Sequence, residues 1–198
     1  FIKNNGEILT LVPDLYIAWH AGVSSWQRFK FLNKHSIGIE ISNPGHNNKY
    51  KKYSKKQINA ILKLISFLKK KYKIEKKFIL GHSDIAPDRK KDPGEKFPWK
   101  YLSKRKICIW HNLDKKQLFK IRHLKVSNNE NKIFIKNLHK IGYPRSSVIN
   151  KRRYFKILTK AFQRRFRQDL IDGLIDKECL IISKNLIKYT KKFLLENF

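Results

Sequence analysis

Ser36-Ile37-Gly38-Ile39-Glu40-Ile41 alternates polar and apolar residues without a break. A period of two puts the isoleucines on one face of a strand and Ser36, Gly38 and Glu40 on the other. Asn43-Pro44-Gly45 ends the run as a turn. Between Tyr53 and Tyr72 the period becomes helical, with Ile58, Ile61, Leu62, Ile65 and Leu68 on one stripe. Ser54 as N-cap and Gln57 three residues on spell a capping box at the start of that helix. Phe78-Ile79-Leu80-Gly81 is a short apolar run, expected as a buried strand that delivers His82 at its end. The opening FIKNNGEILTLV reads as a strand pair around a turn at Asn4-Asn5-Gly6. Strand, helix, strand in this order predicts an α/β layer over residues 1–102.

The second half has a different rhythm. The stretch 104–130 is polar, basic and weakly periodic, and is expected as a linker. Three helical patterns follow, near Ile133–Ile141, Tyr154–Phe166 and Lys177–Leu195, broken at Gly142-Tyr143-Pro144 and at Asp172-Gly173. The expected architecture is therefore a mixed β-sheet flanked by helices over 1–103, a linker over 104–130, and a small three-helix domain over 131–198.

Composition changes this picture little. A formal net charge of +31 raises nucleic acid as a partner. The basic residues are spread over the whole chain, however, and form no stripe interleaved with aromatics. Nucleic acid is not expected as the main partner, whereas attraction to an anionic polymer, including a cell-wall one, fits the charge. No apolar run approaches the length of a membrane span; the sequence opens on Phe1 rather than Met, and no signal peptide is visible in it. Cys108 and Cys179 match no metal or redox spacing and read as free or buried thiols.

Candidate chemistry centres on GHSDIAPDRKKDPG, Gly81 to Gly94. An imidazole at a strand end and a loop carboxylate, His82 and Asp92, are donors that suit zinc, though on residue types alone most pairs at this separation are unrelated loop residues. Glu40 lies on the strand face opposite the isoleucines, where it is either a solvated carboxylate or one that faces a site beside Gly38. Lys90 is either one more surface lysine or a fixed positive charge close to Asp92.

Together, AWHAGVSSW (Ala18–Trp26), LNKHSIGIEISNPG (Leu32–Gly45) and GHSDIAPDRKKDPGEKFPW (Gly81–Trp99) resemble the zinc-dependent N-acetylmuramoyl-L-alanine amidases of the second amidase family. That group includes phage-lysozyme-type amidases and, more distantly, peptidoglycan recognition proteins. Leu138–Leu180, with AFQRRFR followed by IDG, is similar to a helical peptidoglycan-binding domain. The resemblance implies zinc as cofactor with His82 and Asp92 as ligands, Glu40 as acid/base and Lys90 as the group facing the oxyanion. It places Trp19, His20 and Asn33 along the substrate cleft. The partner it implies is peptidoglycan or a muropeptide, cleaved between N-acetylmuramic acid and L-alanine. A monomer in the periplasm or cell envelope is expected, with the cytoplasm as alternative.

In the family the first zinc histidine lies on a strand upstream of the AWHAG motif, and Phe1–Trp19 contains neither histidine nor cysteine. The chain is thus expected to begin inside the domain, without its opening strand and first ligand. A competing expectation follows, a non-catalytic cell-wall binding protein that lacks a full zinc site.

Overall fold

The computed structural model describes residues 1–145 and 150–190. The opening pair forms around the expected turn: Ile2 bridges Ile8 in antiparallel fashion, and Gly6 takes φ +86°. Ile2 also bridges Ile41 in parallel, with its N–H donating to the Glu40 carbonyl at 2.8 Å. A second antiparallel pair, β1 (Ser25–Trp26) and β2 (Phe29–Lys30), follows. These short mixed pairings form the β layer, and α1 (Lys55–Lys71) packs beside it.

Helix α1 starts where the sequence says it should. The Ser54 hydroxyl accepts from the Gln57 N–H at 3.1 Å, and the Gln57 side chain accepts from the Ser54 N–H at 3.0 Å. Ile61 and Ile65 are buried, and Ile58 and Leu62 pack at the edge of the same core with Ile2, Phe97, Trp99 and Leu102.

Two expected strands differ. Residues 36–40, among the described residues, join no ladder beyond the bridge at Ile41. Lys76–Phe78 is a 3-10 turn, and Ile79–Gly81 runs on without a sheet partner among the described residues. Alternation reports which face is apolar, whereas a strand also needs a neighbour to receive its backbone hydrogen bonds.

Beyond Gly81 come α2 (His82–Ile85), α3 (Trp99–Lys104), α4 (Lys115–Ile121), α5 (Asn128–Ile141), α6 (Lys151–Phe166) and α7 (Lys177–Leu186). The stretch expected as a linker thus carries α4, capped by Asp114, and buries Ile107, Cys108, Ile109 and Leu118. Helix α5 begins earlier than its apolar stripe suggests, because Ser127 and Glu130 form a second capping box. The expected third helix ends at Leu186 and continues as a 3-10 turn, Ile187–Tyr189; residues 191–195 lie outside the described residues.

The C-terminal helices share a core with the first hundred residues. Ala21, Trp26, Leu32 and Ile85 are buried in one cluster with Phe134, Leu138, Ile141, Leu158, Phe162 and Leu186. The approach is close enough that a Cβ on Gly142 would lie 2.4 Å from the Trp26 ring. Both cysteines are buried and free.

Candidate active site

His82 opens α2 and stands against Asp92, with Nδ1 2.5 Å from the carboxylate. Two backbone features bring these residues together. The Ser83 N–H donates to the Asp92 carbonyl at 2.9 Å, and Gly81 leaves room for Pro93, whose Cδ would lie 2.5 Å from a Cβ there. Tyr50 and Tyr53 then donate to the Pro93 carbonyl at 2.6 and 3.0 Å, fixing the Asp92 loop from its other side. Burial pushes the Tyr50 hydroxyl up to about 12, so it remains a donor at neutral pH.

The electrostatics of the pair follow from its surroundings. His82 Nε2 faces the His20 carbonyl at 2.9 Å, an acceptor only, so this nitrogen carries a proton. Nδ1 is left to meet Asp92, either as a second N–H or with its lone pair free for a cation. The hydrogen bond to Asp92 raises the His82 pKa against the opposing effect of burial. Burial pushes Asp92 up, but the hydrogen bond and charge of His82 outweigh it, and its pKa falls; Lys90 adds to the lowering. The His82 side chain is 15% exposed and that of Asp92 52%, so the pair opens to solvent on the carboxylate side.

Glu40 lines the same cavity, of about 600 Å³, as His20, His82 and Asp92. Its charge reaches both histidines, adding to the raised pKa of His82 and partly offsetting the lowering of His20 by burial. The cavity is bounded elsewhere by apolar side chains, Ile37, Ile61, Ile65 and Leu80 among them. Gly38 makes room for His20, because a Cβ there would lie 2.5 Å from the imidazole. The space expected beside Gly38 is therefore filled by the His20 ring.

His20 contributes both its ring and its backbone. Its ring Nε2 lies 3.2 Å from the Ser36 carbonyl and burial lowers its pKa, while its own carbonyl orients His82. Asn33 Oδ1 accepts from the Ala21 N–H at 2.7 Å, which ties down the AWHAG turn. Trp19 is 90% exposed and stands outside the residues that line the cavity. Arg89, which sequence reasoning passed over, donates to the carbonyls of Ala21 and Val23 and so pins that turn to the His82–Asp92 loop.

His82 and Asp92 fit two positions of a zinc shell in donor type, convergence and outer hydrogen bonding. Among the described residues no group of three or more His, Cys, Asp or Glu side chains could hold a metal.

The pattern of the family described as N-acetylmuramoyl-L-alanine amidase matches residues 1–95. The chain is 31% identical over 193 residues to N-acetylmuramoyl-L-alanine amidase AmiD of Escherichia coli (strain K12), covering 94% of this chain and 70% of AmiD. It is 41% identical over 104 residues to 1,6-anhydro-N-acetylmuramyl-L-alanine amidase AmpD of Haemophilus influenzae, a match to 52% of this chain and 54% of that protein. Among solved structures, E. coli AmiD in complex with its substrate anhydro-N-acetylmuramic acid-L-Ala-D-gamma-Glu-L-Lys superposes with a TM-score of 0.81 at 31% identity, over 92% of this chain and 73% of that one. AmpDH3 of Pseudomonas aeruginosa in complex with anhydromuramic pentapeptide gives 0.78 at 33% identity, over 91% and 72%. The AmiD likeness thus extends through the C-terminal helices, whereas the AmpD likeness spans about half the length of each chain.

Proposed function

Because the chain belongs to the N-acetylmuramoyl-L-alanine amidase family, we propose that it hydrolyses the amide between the lactyl group of N-acetylmuramic acid and L-alanine in peptidoglycan or muropeptides. The observation that carries this reading is the convergence of His82 and Asp92, 2.5 Å apart, at a cavity that Glu40 also lines.

His82, through Nδ1, and Asp92 would hold zinc, which when bound supplies Lewis acidity to the carbonyl and to water. Glu40 takes a proton from the attacking water and passes it to the amide nitrogen as the C–N bond breaks. The products are a lactyl carboxylate and the free amine of L-alanine. Lys90 faces the negative charge that grows on the carbonyl oxygen. The His20 carbonyl keeps Nε2–H of His82 in place, so Nδ1 stays directed at Asp92. Exposed Trp19 offers a flat apolar face to a sugar or stem peptide beside the turn that Asn33 and Arg89 hold.

The division into residues 1–103, a connecting stretch 104–130 and residues 131–198 belongs to the same proposal, with the outer parts built on a shared core. So does a cell-envelope location, where a peptidoglycan substrate would lie. No helix among the described residues is long and apolar enough to cross a membrane.

Glu40→Gln tests the reading. Hydrolysis of an anhydro-muropeptide, followed by product mass, should fall about 100-fold or more with zinc binding retained. A rate above about a tenth of the unsubstituted protein's removes Glu40 from the acid/base role. One observation favours a second reading, peptidoglycan binding without hydrolysis: the lack of a three-donor group among the described residues. Muropeptide binding with no turnover at saturating zinc would select it.

A further inference from the structure

AFQRRFR, Ala161–Arg167, was singled out in the sequence for its likeness to a peptidoglycan-binding helix. Arg165 and Arg167 are 2% and 3% exposed, so neither guanidinium lies on a surface that could meet glycan. Arg167 is spent within the helical segment, on Asp172 and Asp176. Arg165 crosses to the other half of the molecule and pairs with Asp84, which is 1% exposed and lies two residues after His82.

The contacts around Asp84 enclose the His82 backbone. One carboxylate oxygen, Oδ2, accepts from the Gly81 N–H at 2.8 Å and from the Arg165 guanidinium. The other, Oδ1, accepts from the Tyr143 hydroxyl at 2.8 Å. A second guanidinium nitrogen of Arg165 donates to the Ile79 carbonyl at 2.8 Å, so one side chain grips the chain on both sides of His82. The guanidinium also lies over the Trp99 ring, 4.3 Å from its centroid. Burial raises the Tyr143 hydroxyl well above its ordinary pKa, which keeps it a donor.

Apolar contacts alone would hold α6 against the core, and a buried ion pair adds little net stability over them once its desolvation is counted. What directional hydrogen bonds add is register: they tie residues 79–84 to the C-terminal helices in one geometry. We infer that Arg165 and Tyr143 are positioning residues that act through Asp84 to fix the His82 ring, making the C-terminal helices part of the active-site scaffold. The inference rests on the proposed role of His82.

The test uses the full chain. Ring nitrogens of ¹⁵N-labelled histidines are recorded, with the His82 signals assigned by their loss in His82→Ala. Tyr143→Phe, Arg165→Lys and the double variant Arg165→Met with Asp84→Asn are compared. In Tyr143→Phe and the double variant the His82 signals should move while helical circular dichroism persists. Hydrolysis of an anhydro-muropeptide should lose about 10- to 100-fold in kcat, with KM within about twofold. Arg165→Lys, which keeps the pairing charge, should recover part of the loss. If the double variant fails to fold, Tyr143→Phe alone decides. Unmoved His82 signals and full kcat in a folded variant would overturn the inference and leave the ion pair a packing device. Undiminished hydrolysis by His82→Ala would instead overturn the role given to His82, while the ring signals still decide what holds it.

Discussion

Gly81→Ala separates steric fit from backbone strain at the point where the His82 and Asp92 segments meet. Gly81 has φ −99° and ψ 162°, extended backbone that alanine adopts freely, so the substitution carries no conformational penalty. Its cost is entirely spatial. The new methyl would lie 2.5 Å from Pro93 Cδ and 3.3 Å from the Trp99 ring. The first distance is about 1 Å short of a normal carbon contact of roughly 3.5 Å. Pro93 is held by Tyr50 and Tyr53, and residues 79–84 by Arg165, so neither side yields easily. Overpacking of this kind costs about 1–3 kcal/mol. In a chain of this length that lowers Tm by roughly 2–12 °C. Accommodating the methyl by moving the two segments apart would break the 2.5 Å contact between His82 and Asp92, and misplacement on this scale costs about 100-fold in rate. Gly45→Ala is the control. It has φ +74° with open space around it, so its cost is backbone strain of about 1 kcal/mol with no steric clash. Thermal unfolding and muropeptide hydrolysis are measured on both. A Gly81→Ala protein with unchanged Tm and rate would refute the fit argued for Pro93.

Other outcomes follow from single interactions. His111 is packed against Trp110, and burial lowers its pKa to about 4. Its folded value lies below the unfolded one of about 6.5, so the unfolded chain binds the proton first. This contribution is therefore complete above about pH 6.5 and falls by up to roughly 3 kcal/mol as pH drops through 4; His111→Phe should flatten urea-unfolding stability across that window. Lys90→Ala should lower kcat by about 10²–10³ if its charge faces the oxyanion, and a change below threefold would remove it from that role. Arg122 donates twice to Glu178, at 2.6 and 3.0 Å, and both side chains are buried. Arg122→Met should cost about 3 kcal/mol by urea unfolding, because it leaves a buried carboxylate short of its partner.

Much of the local structure was legible in the residues themselves. The capping box at Ser54, the apolar stripe of α1 and the turn at Gly6 are all written within a few positions, because the groups that satisfy each other are neighbours in the chain. His82 and Asp92 were legible as donors by type and by resemblance, and the loop between them is short enough to close on itself. Pairing was not legible. The alternation of Ser36–Ile41 marks one apolar face, but which backbone lies alongside it is not a property of that stretch. The buried set Ile107, Cys108, Ile109 and Leu118 has no helical spacing, so the stretch 104–130 read as polar although it contributes to the core. His20 lines the cavity, and the contact of its carbonyl with His82 is one that no sequence pattern announces. Arg165 and Asp84 lie far apart in sequence, each resembling an ordinary surface charge in a chain of this composition. Only folding reveals that they meet at 2% and 1% exposure, because what selects the pair is the cost of burying either charge alone, and that cost exists only once the surrounding core has excluded water.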